Sequence, residues 1–215
     1  MDDLFNIFYY STFLITAAIS IAILVLIPKL KNFDFSNRVL YSLLLLLSIN
    51  DIASTVFAHY FASNLVFIST CAIIELVCIY IFLRSISTDS KKIYDVIFLC
   101  FLTFSLYEFL SLDFYNFGQF QLYSKSLNSS FLLFIVMKKI IENLRNVQKN
   151  KWIKVKLLFA FFLTMGIVLN LPLNILVNND GMLVYVIWFI NLINYIILNI
   201  GIFHHLWKVK PQNNV

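Results

Sequence analysis

Long apolar runs separated by short polar breaks recur along the whole chain, at residues 8–27, 39–61, 65–83, 93–110, 122–137, 157–177 and 183–207. An α-helix needs about 20 apolar residues to cross the hydrocarbon of a bilayer, and runs of this length read as spans. The pattern predicts an all-α fold, a single seven-helix transmembrane domain over residues 1–215. The fifth run is the weakest, because Lys125, Asn128, Ser129 and Ser130 interrupt its outer half; were it to lie in the interface, six spans would remain. Residues 62–64 and 178–180 are links short enough to make helices 2 and 3, and likewise 6 and 7, antiparallel neighbours.

Composition narrows the class. Of the 215 residues 61% are hydrophobic and 13% charged, against about 45–50% apolar and about 25% charged in soluble domains. A mean hydropathy of +0.86, with 23 Phe, 4 Gly and 3 Pro, excludes disordered, collagen-like and disulfide-stapled chains as well. Seven spans consume about 140 residues, so what is left is too short for an attached soluble domain.

The charges set an orientation. With seven spans, Lys29, Lys31, Arg38, Arg84, Lys91, Lys92, Lys138, Lys139, Arg145, Lys149, Lys151, Lys154, Lys156, Lys208 and Lys210 all fall on one side, and of the 16 basic residues Lys125 alone falls on the other. Asp2, Asp3, Asp113 and Asp180 share the side of Lys125. The positive-inside bias then puts the N-terminus outside and the C-terminus inside, and a six-span reading would strand basic clusters outside. A bacterial inner (cytoplasmic) membrane is the expected location. Residues 1–6 hold two aspartates and no basic residue, and no small-residue cleavage site follows the first run, so the first helix is expected to be retained.

Charged groups in hydrocarbon cost about 2.5–3.5 kcal/mol each on insertion scales, which makes the remaining ones informative. Asp51 lies 12 residues into the second run and Glu75 lies 8 residues from the end of the third, about 18 Å and about 12 Å from the same surface. No Lys or Arg is expected at that depth, so at least one of the two carboxyls is expected to be protonated at pH 7. Ser48, Asp51, Thr55 and His59 share one face of helix 2, and Trp188, Asn191, Tyr195 and Asn199 make a similar stripe on helix 7, with Asn170 and Asn174 flanking Pro172 on helix 6. These groups either glue the bundle by interhelical hydrogen bonds or form a ligand, proton or ion site. Glu108 and Lys125, near the outer ends of adjacent helices, are expected to pair with each other, although snorkelling to the interface would also accommodate Lys125.

Residues 138–156 combine basic side chains with Ile140, Ile141, Leu144, Val147, Trp152 and Ile153. Such a segment is expected to continue helix 5 as a basic stalk along the headgroups of the lipid bilayer, or to dock a cytoplasmic or membrane signalling partner. Nucleic acid is a poor fit, since no recognition fold accompanies the charge. Cys71, Cys78 and Cys100 lie inside spans with no metal or disulfide spacing, and read as small packing residues.

Enzyme chemistry finds little support. His59 sits near one end of its helix and His204 and His205 near the opposite membrane face, too far apart for the three ligands of a catalytic zinc. Ser54, Asp51 and His59 lie on a single helix, which rarely triangulates a reacting atom. The seventh run lacks the lysine that a retinal Schiff base requires, and Pro172 has no counterpart in helix 2 such as an inverted-repeat carrier would carry. No metal and no cofactor are expected.

Asn64-Leu65-Val66-Phe67 leading into Ile73-Ile74-Glu75-Leu76, and Val186-Ile187-Trp188 through Asn191, Asn194 and Tyr195 to Leu206-Trp207-Lys208, give a chain that resembles a group of uncharacterised small seven-helix integral membrane proteins of Bacteroidota. That resemblance implies a sensory or accessory role beside sensor histidine kinases, and implies Glu75, Trp188 and Asn191 as positions of interest. The expectation is therefore a non-enzymatic membrane sensor or accessory subunit with a polar site on helices 2, 3 and 7. A small-solute or proton-coupled transporter is the alternative, and an intramembrane lipid enzyme the third reading.

Overall fold

The computed structural model describes residues 2–61, 66–87, 92–112, 122–145, 151–176 and 181–209. Among them the chain forms seven α-helices and no strand: α1 (Asp2–Leu26), α2 (Phe35–Phe61), α3 (Val66–Ser85), α4 (Lys92–Ser111), α5 (Tyr123–Arg145), α6 (Ile153–Leu176) and α7 (Gly181–Trp207). All but α5 are long and apolar enough to cross a membrane. The fold is that of an integral membrane protein.

Local chemistry sets the helix ends. Pro28 opens a 3-10 turn, Ile27–Asn32, directly after α1, because its ring removes the N–H that would continue the α-helical ladder. Asp34 then accepts from the Asn37 backbone N–H at 2.9 Å and caps α2. Asp95 in the first turn of α4 faces the positive end of that helix. At the end of α7 the Lys29 ammonium donates to the Trp207 carbonyl and sits 4.1 Å from the centroid of its indole ring, satisfying a terminal acceptor.

The helices α3 and α5 form the interior. α3 packs against α2, α4 and α5, and α5 packs against α3, α4 and α6, while α1 lies outside against α2 and α7. The apolar core fills the half of the bundle where α3 and α5 end: Leu76, Ile79, Phe82 and Leu83 meet Leu132 and Val136, together with Phe159 and Leu163 of α6 and Leu198 and Ile202 of α7. Phe82 is its hub, edge-on to Trp152 at 5.3 Å and to Phe159 at 5.5 Å. Apolar side chains that face outward, such as Leu14, Ile21, Ile93, Val96 and Leu110, are exposed as the lipid-facing surface of a membrane bundle requires.

The fifth helix departs from its expected bounds. The sequence suggested a span over 122–137, yet α5 runs unbroken to Arg145, so residues 138–145 extend the bundle rather than lying flat along it. Two of their cations find partners outside α5: Lys138 donates to the Tyr94 hydroxyl of α4 at 2.8 Å and Lys139 to the Ser87 hydroxyl, just after α3, at 2.6 Å. The polar first half of α5 is buried too, at Ser124, Lys125, Ser126, Asn128 and Ser129. Its low hydropathy reflects a position shielded by other helices, where polar side chains meet protein instead of acyl chains.

Candidate functional site

The first half of α5 is rich in polar side chains and faces the half of α3 that carries Ser69, Thr70 and Glu75, and one charged cluster forms between them. Glu75 on α3 and Lys125 on α5 approach to 3.8 Å, with side chains only 4% and 5% exposed. Tyr195, from α7, bridges the two: the Lys125 ammonium donates to the Tyr195 hydroxyl at 2.9 Å, and that hydroxyl donates to Glu75 Oε1. The same ammonium lies 5.2 Å from the Tyr195 ring centroid, a cation–π distance. Phe162 of α6 packs edge-on against Tyr195 at 5.2 Å and fixes the ring. Cys71, one turn before Glu75, donates its thiol to Glu75 Oε1 at 3.3 Å and lies 3.2 Å from the Tyr195 hydroxyl.

This arrangement overturns the expectation that the deep carboxylates lack a cation. Lys125 supplies it, and an isolated carboxylate at this depth would otherwise keep its full desolvation cost. The expected pairing of Lys125 with Glu108 is not the one found. Glu108 instead accepts from the backbone N–H groups of Tyr123 at 2.8 Å and Ser124 at 2.9 Å, capping the start of α5. A carboxylate is well suited to two orphan donors at a positive helix end.

The stripe expected on α2 divides. Asp51 is half-buried and within electrostatic reach of both Lys125 and Glu75, and its carboxylate makes no ion pair among the described residues. Ser48 turns away to Ser20 of α1 at 2.9 Å, and Thr55 bonds back to the Asp51 carbonyl at 2.9 Å, so both serve the helix scaffold. The side chains of His59 and Asn174 lie outside the described residues. On α7, Trp188 and Asn191 share the face of Tyr195, and the buried Trp188 Nε1 has no hydrogen-bond partner among the described residues. Asn199, one turn beyond Tyr195, is buried with its side-chain oxygen unpaired among the described residues, while Asn170 bonds back to the Gly166 carbonyl at 2.6 Å. The helix 2, 3 and 7 site therefore gathers around Glu75 and Tyr195, with Asp51 at its edge and α5 as an unexpected fourth wall.

Sequence reasoning missed Cys71 and misplaced Lys125. The i, i+4 spacing of Cys71 and Glu75 was a signal for the first. For the second, the signal was the run of polar residues around Lys125, too dense for a lipid-facing surface.

Chemically, the chain from ammonium through phenol to carboxylate has the connectivity a proton relay needs: the hydroxyl accepts from one end and donates to the other. Among the described residues no group of three His, Cys, Asp or Glu side chains is placed to hold a metal ion. His205 Nε2 lies 3.2 Å from the Asn37 side-chain oxygen Oδ1, and its ring packs on Trp152 at 5.0 Å. No protein-family model matches the chain, and comparisons with curated proteins and with solved structures yield no match either.

Proposed function

We propose that this chain is a non-enzymatic membrane sensor or accessory subunit of a signalling system, with the Glu75, Tyr195, Lys125 and Asp51 cluster as its input site. The observation that carries this reading is the closed ion pair between Glu75 and Lys125, bridged by a third helix. A buried pair of this kind is a two-state element, because opening it releases α3, α5 and α7 from one another at once. Asp51 supplies the bias: it lies within electrostatic reach of Glu75 and Lys125 without an ion-pair partner among the described residues, and gain or loss of its proton changes the net charge around the pair. In this reading α5 crosses the membrane with the other six helices, the N-terminus lies outside, the C-terminus inside, and the membrane is a bacterial inner membrane. The basic end of α5 faces the cytoplasm and meets the signalling partner there. The resemblance to the small seven-helix proteins of Bacteroidota points the same way.

The test is amide hydrogen exchange along α5 and α7 of the full chain in lipid nanodiscs, compared between about pH 5 and about pH 8. Wild-type protein is expected to lose protection in α5 and α7 at one end of this range, and Asp51→Asn to abolish the difference. Identical exchange at both ends in wild-type protein would remove the switch.

A second reading, a proton-coupled or small-solute carrier, is favoured by Asp51, which has no ion-pair partner among the described residues, beside the relay. Proton flux in liposomes containing the purified chain separates the two, since a sensor moves no solute.

A further inference from the structure

Three groups converge on one oxygen of Glu75. The Tyr195 hydroxyl donates to Oε1, the Cys71 thiol donates to it at 3.3 Å, and the Lys125 ammonium lies 3.8 Å from the same atom. Tyr195 and Lys125 come from other helices, whereas Cys71 is buried one turn before Glu75 on α3 itself. Its sulfur also lies 3.2 Å from the Tyr195 hydroxyl, so thiol, phenol and carboxylate close a triangle. A glutamate has several side-chain torsions to order before it can meet partners on two other helices. A donor fixed on its own helix removes part of that freedom, and a bond to the ionised carboxylate is the stronger for the charge. The other charged or titratable groups around Glu75 are Lys125 of α5, Tyr195 of α7 and, within electrostatic reach, Asp51 of α2; on α4, Glu108 accepts from the start of α5.

We propose that Cys71 is a positioning residue for this cluster: its thiol holds Glu75 Oε1 where Tyr195 and Lys125 meet it, and so sets the pH at which the pair opens. The inference rests on the reading of the cluster as a pH-dependent input site. It assigns a thiol, otherwise a small packing group, a directional role: what matters at position 71 is a hydrogen-bond donor rather than volume. Alanine and serine separate the two, because both are smaller than cysteine and only serine donates.

The experiment follows the protection of α5 and α7 amides across a pH series, in the full chain in lipid nanodiscs. Cys71→Ala is expected to move the midpoint by about half a pH unit toward the closed end of the range, so that the pair opens earlier. Cys71→Ser is expected to restore the wild-type midpoint. Cys78→Ala, which removes a buried thiol two turns further along α3, is expected to leave it in place. A wild-type transition with coincident alanine and serine curves at position 71, or an equal shift in Cys78→Ala, overturns the role of Cys71 and leaves the input site standing. A flat wild-type curve overturns the switch, and this role with it. A second measurement leaves the cluster unaltered. With Cys78→Ala and Cys100→Ala combined, Cys71 is the one thiol in the chain, and its S–H infrared band at the closed end is expected at the lowered frequency of a hydrogen-bonded thiol. A band at the position of a free thiol overturns the proposal, whether or not the variants at position 71 fold.

Discussion

Lys125 of α5 reaches Glu75 of α3 at 3.8 Å inside the bundle, and both side chains are almost fully buried. The pair makes α5 an interior helix: its least apolar segment is placed where a cation has a carboxylate and a phenol to meet. A buried pair of this sort is strongly asymmetric in energy. Removing one partner strands the other charge, whereas removing both can cost nothing.

Glu75→Gln and Lys125→Met, made singly, are each expected to destabilise the protein by about 3–5 kcal/mol. The double replacement Glu75→Leu with Lys125→Met is expected to recover most of that loss. Reversible unfolding in mixed detergent micelles measures all three. A double variant no more stable than the singles would mean that the pair does more than neutralise itself.

The start of α5 depends on α4. Glu108 accepts from two successive backbone N–H groups, at 2.8 and 2.9 Å. Glu108→Ala leaves both donors without a partner and is expected to cost about 0.5–2 kcal/mol, the range of a lost helix cap. Amide exchange at Tyr123 and Ser124 should accelerate in the variant while that in the second half of α5 stays as it was. Unchanged exchange at both amides would remove the cap from the account.

The apolar runs made the helices legible, because length and hydropathy are properties of single segments. What the sequence hid was lateral. Ser48 and Asp51 lie one turn apart on α2, but which of them reaches α1 and which reaches α3 is decided by how the helices are rotated, and Ser48 turned to Ser20. Lys125 looked isolated because its partners are distant in sequence, Glu75 by fifty residues and Tyr195 by seventy. Glu108 looked like its natural partner because the two helices are consecutive. The helix end at Tyr123 competed for that carboxylate and won, with two short hydrogen bonds against one long side chain.

The α3 to α4 hairpin is clamped by Asp95, which takes the Tyr80 hydroxyl at 2.6 Å and the Arg84 guanidinium at 3.0 Å. The two contacts are not equal. Arg84 and Asp95 are more than a third exposed, where an ion pair contributes about 0–1 kcal/mol. A hydroxyl bonded to a carboxylate contributes about 1.5–3 kcal/mol. Tyr80→Phe keeps the ring stacked on Phe98 at 4.2 Å and deletes the hydroxyl alone. It is expected to destabilise more than Arg84→Met does, as read by thermal unfolding of the purified variants. The reverse order would show that the guanidinium is the stronger anchor.

Close packing of α6 on α7 turns on Gly201. A Cβ added there would fall within the isobutyl group of Leu158, whose Cδ1 would lie 3.0 Å away and Cγ 3.3 Å away. Gly201→Ala therefore forces the two helices apart or drives Leu158 off its rotamer, and is expected to cost about 1–3 kcal/mol. Gly166 on α6 supplies the contrast, since a Cβ there would meet Ser129 Oγ at 3.7 Å and Asn170 Nδ2 at 3.8 Å, both ordinary contacts. Gly166→Ala is expected to be neutral or to stabilise by up to about 1 kcal/mol, because alanine is the better helix former. If the clash with Leu158 is the whole cause, Leu158→Ala will abolish the effect of Gly201→Ala in a double-mutant cycle. A penalty that persists in the Leu158→Ala background would place the constraint in the α7 backbone instead.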